Sequence, residues 1–389
     1  MSRKQINLWE LGDKISVKLE KHFIDFINKR IKLSYKTKRD IHKKITKSCP
    51  IPFSTFKNVL KKGYSLFIPL NLLLKLVRLL AIPPFILQEN VIAYKTGGGW
   101  DIVQNPKLPI QITPLFDMLI AHHIADGYAT TPKNNRLAKL AYRQYNSLHK
   151  RLYIKKIESV FGSVNYRTPY AHAADINRVY FPSACSYSMF LVYNLYYLDF
   201  RSKLARVPKE LFSKSWEHKL AFLLAVIIDD GTVDSTAIVI ALKNKKLTKD
   251  LQKLSQDLGY DTTYTERTKG DYKEYGYLYI LKEGVKSLWE DYLLLIKNYS
   301  EANLGYKGKQ IEQNLKITER KIQWTMGNRE LILEIISREP STVNELSKKV
   351  FMTRQGVRYH VHVLEKQGKI TRIGIKGENN YIYTLNKNL

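Results

Sequence analysis

Two stretches of this chain run an unbroken apolar segment into an acid and a glycine: "LIAHHIADG" (119–127) and "LLAVIIDDG" (223–231). The residues downstream of each are patterned alike. After the first come an alternating stretch to Asn146, a helical "LHKRLYIKKIESVFG", strand-like "VNYRTPY" and "NRVYFP", and a helical "SYSMFLVYNLYYL". After the second come alternating "TVDSTAIVIALK", a helical "LTKDLQKLSQDLGY", strands "DTTYTER" and "YGYLYIL", and a helical "VKSLWEDYLLLI". Spacing near 3.6 marks the helices and spacing of 2 the strands, so each block predicts αββαββα. Asp126 and Asp230 lie 104 positions apart. A repeat of that length predicts a duplicated domain with pseudo-twofold symmetry rather than a solenoid.

The flanks differ from this centre. Residues 1–105 predict a basic, all-α region. Within it "KTKRDIHKKITKSCPIPFSTFKNVLKKGYS" reads as a helix, a Pro-marked turn and a short helix from about Ser54 to Lys62. That helix offers Ser54, Thr55, Lys57 and Asn58, as a helix-turn-helix does to a groove; a plain helical bundle is the other reading. "YKTGGGWDIVQNPKLP" (94–109) is expected as a linker. Residues 323–389 predict three helices, with a helix start at Ser341/Thr342 and Glu345, then a hairpin turning at Gly377–Asn380. This segment resembles the winged helix-turn-helix family. The resemblance implies that Thr353, Arg354, Gln355 and Arg358 face bases or phosphates, with Lys376 on the wing. The expected fold is α+β: a two-repeat domain over 106–322, flanked by an all-α amino-terminal domain and a winged-helix carboxy-terminal domain.

Composition narrows the partner. Hydrophobic content of 44% and charged content of 25% are ordinary, but 64 Lys+Arg against 35 Asp+Glu leave a net charge of +29. An AT-rich genome or an unusual cytoplasm could enrich lysine; a polyanion partner accounts for the excess more directly. Cys49 and Cys185 make neither a disulfide framework nor a zinc cluster, which predicts a reduced, cytoplasmic setting. The chain opens without a signal peptide's apolar core. The segment 66–87 is interrupted by Pro69, Lys75, Arg78, Pro83 and Pro84, so no membrane span is expected. A P-loop, a dinucleotide fingerprint and a Ser/His/Asp arrangement are all missing from the sequence.

The paired acids carry the chemistry. Ala121 and Ala225 would let the two apolar helices approach closely, while Gly127 and Gly231 could end them in the left-handed conformation. Two carboxylates then meet at helix ends that are already negative, a cost of roughly a kcal/mol or more that a divalent cation removes. An aspartate before glycine can also bond its own turn, which explains one such residue more easily than two. Asp229 and Asp234 are expected in solvent, Asp229 with a possible supporting role. Adjacent His122 and His123 point about 100° apart and cannot chelate as an i, i+4 pair; one is expected to pack and one to hydrogen-bond. His360 and His362 read as ordinary helix residues.

The two stretches resemble two copies of the LAGLIDADG (DOD-type) motif of homing endonucleases. They keep leucine first, a small residue third and Asp-Gly last. "RVPKELFSKSWEHKLAFLLAVIIDDGTV" (206–233) is similar to the Pro-led linker and second motif of single-chain members. The resemblance covers about 105–320. It implies Mg²⁺, or another divalent cation, at Asp126 and Asp230 beside Gly127 and Gly231, and hydrolysis of DNA phosphodiesters. Basic side chains near the attacking water are Lys203 and Lys309 by position. The resemblance also implies sheets over the major groove of double-stranded DNA, with Arg136, Lys139, Arg143, Gln144, Lys243, Lys245 and Arg267 as contacts, a set that one slip of strand register would invert. The expected function is a sequence-specific, monomeric DNA endonuclease. It begins with Met and has no splicing-block cysteine beside the domain, so an intact intein is not expected. The second reading is a transcription regulator that uses the fold to bind DNA without cutting; RNA maturase activity has no separate support.

Overall fold

The first hundred residues build strands as well as helices. The structure is a computed structural model that describes residues 3–47, 49–96, 102–129, 140–164, 177–266, 274–319, 327–350, 352–376 and 380–386. In chain order the opening elements are β1 (Gln5–Ile6), β2 (Ile15–Leu19), α1 (Lys21–Ser34), α2 (Lys38–Thr46), α3 (Phe53–Lys62), β3 (Ile68–Pro69), α4 (Leu70–Leu79), α5 (Pro84–Glu89), β4 (Val91–Thr96) and β5 (Val103–Gln104). The all-α expectation is thereby corrected. Strand β2 runs antiparallel to both β3 and β4. Its Ser16 is buried along with Ile15, Val17 and Leu19, so both faces are covered and no polar alternation marks it as a strand. The stretch expected as a linker contributes part of β4 and all of β5. Helix α3 turns Phe56, Val59 and Leu60 inward and leaves Ser54, Thr55, Lys57 and Asn58 exposed, the division its spacing predicts.

Strand β6 (Ile110–Gln111) returns to pair with β1. Then come α6 (Pro114–Ala125), β7 (Gly127–Ala129), β8 (Leu140–Arg143), α7 (Ser147–Phe161), β9 (Ser163–Val164), β10 (Arg178–Tyr180) and α8 (Ser183–Val192). The second run is α9 (Trp216–Asp230), β11 (Gly231–Val233), β12 (Ala237–Leu242), α10 (Lys245–Asp257), β13 (Thr262–Glu266), β14 (Gly276–Leu281) and α11 (Lys282–Asn298). Both runs have the predicted αββαββα order. Their sheets differ: β10-β8-β7 in the first repeat, β11-β12-β14-β13 in the second. The difference lies in β9, which pairs instead with β5, Val103 opposite Val164, and closes a five-stranded sheet β3-β2-β4-β5-β9. Gly162 makes that junction possible. Its φ of +109° suits glycine, and a Cβ there would lie 2.6 Å from the carbonyl oxygen of Asn105.

Helices α6 and α9 pack on each other more extensively than any other two elements. Both are buried on all sides over most of their length, and Ala121 and Ala225 have no exposed surface. Two cross-contacts fix their direction. Near the amino-terminal ends the Asp117 carboxylate accepts from His218 at 2.5 Å; near the carboxy-terminal ends Asp229 and His122 meet at 2.8 Å. The helices therefore run the same way, and Asp126 and Asp230 leave from the same end. Asp117, fully buried, also accepts from Tyr193 (2.6 Å) and Lys214 (2.9 Å), so its charge is matched by several donors.

The chain divides into two compact units. The first is Met1–Thr232 with Ala237–Gly305; the second is Tyr306–Leu389 with Val233–Thr236. The second contains α12 (Tyr306–Glu319), α13 (Gly327–Arg338), β15 (Ser341–Thr342), α14 (Val343–Lys349), α15 (Arg354–Lys366), β16 (Ile370–Ile375) and β17 (Tyr381–Leu385). Its sheet order is β15-β17-β16, over a core that includes Ile332, Ile336, Leu346, Val357, Val361 and Leu364. A capping box opens α14: the Thr342 hydroxyl accepts from the Glu345 N–H while Glu345 accepts from the Thr342 N–H. Among the described residues no helix is long and apolar enough to cross a membrane.

Candidate functional site

Asp126 and Asp230 close their helices without the left-handed glycine the sequence suggests. Asp126 caps α6 at φ −95°, ψ 6°, its N–H bonded to the His122 carbonyl at 3.1 Å. Asp230 is the last residue of α9, and Gly231 leaves it extended at φ −79°, ψ 140°. Gly127 is likewise outside the left-handed set. The glycines serve space instead. A Cβ at 127 would lie 2.4 Å from the His123 Cα, and one at 231 would lie 2.7 Å from the Ile227 oxygen. The chain doubles back over its own last turn, directly from helix to strand. Both aspartates keep partial exposure.

Beneath them lies a polar cluster built around Asp229, a residue the sequence reading placed in solvent. The Asp229 side chain is fully buried, which corrects that expectation. Its Oδ2 lies 2.8 Å from His122 Nδ1 and its Oδ1 accepts from the Tyr142 hydroxyl at 2.6 Å. Gln144 Nε2 donates to the same hydroxyl at 3.1 Å, and Tyr153 stacks on Tyr142 with centroids 4.2 Å apart. Burial, with the nearby Lys156 charge, holds His122 well below its usual pKa, so the ring is neutral and Nδ1–H donates. His123 is pushed down to about 3 by burial and by His122, and it meets the Tyr153 hydroxyl through Nε2 at 2.8 Å. Both histidines therefore hydrogen-bond, where one was expected only to pack. Burial, reinforced by the Asp229 charge and hydrogen bond, raises Tyr142 far above its usual range.

Lys156 is a buried basic residue that the sequence reading did not single out. It is 1% exposed, and burial lowers it to about 8 while Asp229 and Glu301 pull it back up. Its signal was present, since Tyr153, Lys156, Ile157 and Val160 form one helical stripe. Of the lysines nominated by position, Lys203 is exposed in the turn after Phe200, and Lys309 is exposed on α12, in the second unit.

The groove-facing nominations divide. Arg143 is exposed above the Tyr145 ring at 5.1 Å, and its backbone N–H bonds the Asp126 carbonyl at 3.2 Å. Gln144, nominated as a DNA contact, is 9% exposed and bonds the Tyr142 hydroxyl and the Asn146 N–H. Strand register in the second repeat is now fixed. Ile238, Ile240, Leu278 and Ile280 face inward, and Val239, Ala241, Tyr277 and Tyr279 take the other side. Lys243 continues that second side, exposed, with Glu274 at 3.8 Å. Lys245 bonds Glu266 at 2.7 Å. Arg136, Lys139 and Arg267 lie outside the described residues.

In the second unit, α15 buries Val357, His360, Val361 and Leu364 and exposes Arg354, Gln355, Arg358, Tyr359 and His362. Thr353 is an N-cap whose hydroxyl accepts from the Gly356 N–H at 3.1 Å, so its oxygen already has a structural task. Lys376 reaches Glu345 at 2.9 Å, and Arg372 pairs with Glu365 while stacking over Tyr381 at 4.4 Å.

The family-model match falls on the second repeat, and solved structures align with a larger share of the chain. No curated protein matches the chain. Among solved structures, mesophilic variants of the homing endonuclease I-DmoI are 13% identical with a TM-score of 0.33, over 46% of this chain and 88% of that one. The homing endonuclease I-WcaI, bound to its DNA recognition sequence, is 14% identical with a TM-score of 0.31, over 48% and 83%. Full-length DUF199/WhiA from Thermatoga maritima is 12% identical with a TM-score of 0.32, over 65% and 90%. The family model of a LAGLIDADG-like domain matches residues 217–295, so the stretch from α9 into α11 is similar to that domain.

Proposed function

We propose that this protein is a sequence-reading, divalent-metal-dependent DNA endonuclease whose two acids are Asp126 and Asp230. One observation carries the reading: the acids leave the same end of two parallel, buried helices, and both keep partial exposure. The donor chemistry fits Mg²⁺, a hard cation that takes a few carboxylate oxygens and completes its shell with water and phosphate oxygens. In this reading Asp126 and Asp230 would be its protein ligands; among the described residues no group of three or more His, Cys, Asp or Glu side chains is placed to hold a metal ion. When bound, the cation would polarise the phosphate and supply an activated water. Cleavage adds one water across a P–O bond, leaving phosphate on one end and hydroxyl on the other.

The chain's own residues do the rest in this reading. The repeats form a pseudo-twofold pair over one duplex, with the face bearing Val239, Ala241, Tyr277 and Tyr279 toward the groove. Arg143 and Lys243 hold phosphates. The second unit is a winged helix-turn-helix that reads with α15, and α3 serves as a further reading helix. The protein acts as a monomer, because one chain holds both acids.

The exposed polar faces of α3 and α15 equally suit a regulator that binds without cutting. Incubation with a target-bearing plasmid separates the two. Under cleavage, Mg²⁺ converts supercoiled plasmid to nicked and linear forms, and Asp126→Asn and Asp230→Asn each abolish this. Tight binding with intact plasmid at every Mg²⁺ concentration would establish the regulator instead.

A further inference from the structure

The amino-terminal region holds two adjoining cavities that the cleavage reading does not use. One face of α4 carries Leu70, Asn71, Leu74 and Arg78 at helical spacing, and these side chains line them. Trp9 borders both from the short 3₁₀ turn Leu8–Glu10, between β1 and β2. That turn is braced. The Leu8 N–H donates to Oε1 of the buried Gln88 on α5 at 2.7 Å, and Glu10 accepts from the Asn7 N–H at 2.8 Å. Trp9 is nonetheless 37% exposed. The larger cavity, about 660 Å³, is walled by Trp9, Leu74, Ile82, Pro83 and Pro84, a size and lining that suit a small ligand. Ala81 also lines it, at a φ of +51°, where glycine would be at ease and alanine is strained. Strain kept beside a cavity points to use.

The smaller cavity, about 200 Å³, is polar, lined by Asp13, Asn71 and Lys75, and it meets the larger at Trp9, Leu74 and Arg78. The Asn71 side-chain oxygen is buried and accepts no hydrogen bond among the described residues. An acceptor left so is costly, and a guest that brings an N–H relieves it. Lys75 already has a partner. Asp13 and Arg78 are exposed and form no ion pair with each other, so they offer opposite charges to a common guest. We propose that the two cavities form one site for a free α-amino acid with a large apolar side chain. Its ammonium donates to Asn71 and Asp13, its carboxylate lies on the Arg78 guanidinium, and its side chain fills the larger cavity.

Calorimetric titration of the full chain with L-phenylalanine tests this, and we expect one molecule bound per chain. 3-Phenylpropanoate lacks the ammonium and phenethylamine lacks the carboxylate. Each should bind about ten-fold more weakly or worse, the scale of one lost charged hydrogen bond. Arg78→Leu and Asp13→Asn, both at exposed positions, should weaken phenylalanine to a similar degree, and Leu74→Phe should exclude its ring from the larger cavity. Binding should also shift the indole emission of the protein, and Trp9→Phe should remove that shift while keeping the heat. Three results overturn the proposal. One is the absence of binding by phenylalanine, leucine and methionine throughout the millimolar range. Another is equal binding of 3-phenylpropanoate, or an affinity unchanged in both Arg78→Leu and Leu74→Phe. The third is an emission shift that survives Trp9→Phe, which places the guest elsewhere. The titration contains neither DNA nor metal, so its outcome is separate from that of the cleavage assay.

Discussion

At the residue scale, Gly127 and Gly231 show that one residue type can be chosen for two physical reasons. Left-handed φ is used at Gly259, at +81°, where nothing lies within 4 Å of an added Cβ. At Gly127 the φ is ordinary and the space is missing. Gly127→Ala should lower stability in urea by about 1–3 kcal/mol through overpacking against backbone, and Gly259→Ala by about 1–2 kcal/mol through conformation alone. The motif reading found the glycines and the acids because they occur twice. It lost Asp229 because the donors that bury it sit 107 and 87 positions away, a separation no local pattern encodes. The buried His123 carries its own consequence. Its folded pKa of about 3 lies below the unfolded 6.5, so the unfolded chain binds a proton the folded one refuses. Stability should fall as pH drops from 6.5 toward 3, by about 1.4 kcal/mol per pH unit for that one proton. His123→Gln should flatten this limb by one proton in urea titrations across that range.

At the scale of elements, the αββαββα order was legible because α7, α10 and α11 each keep one apolar stripe, while α6 and α9 are apolar runs of helical length ending at Asp-Gly. The strands of the first hundred residues were not. Strands β1, β3 and β5 are two residues long, and β2 is covered on both faces, so neither alternation nor length announces them. The capping box on α14 was visible as Thr342 and Glu345, and its strength is now clear. The Thr342 N–H, Lys376 and the Thr342 hydroxyl hold Glu345 down at about 2. A carboxylate whose pKa is lowered on folding stabilises fully above 4.5 and loses that contribution as pH falls through 2. Glu345→Gln should therefore weaken the second unit at neutral pH and leave its stability nearly unchanged at pH 2, measured on α15 by amide exchange.

For the whole molecule, the net charge of +29 is the one property that needs no fold to interpret. Duplex affinity should fall steeply with salt, its logarithm dropping by about 0.9 per neutralised phosphate for each logarithmic unit of salt. Arg143→Ala and Lys243→Ala should each reduce that slope by about one. Lys245, already paired with Glu266, should change it less. Filter binding across a salt series distinguishes these.

The strand pairing of β5 with β9 has a bearing on how such a protein can change over generations. Ser163–Val164 completes a sheet begun in the opening residues, so that region cannot be exchanged as a cassette without leaving a raw edge in its neighbour. Shuffled genes joined near residue 105 should yield aggregating products, and change in that region would have to come by point substitution.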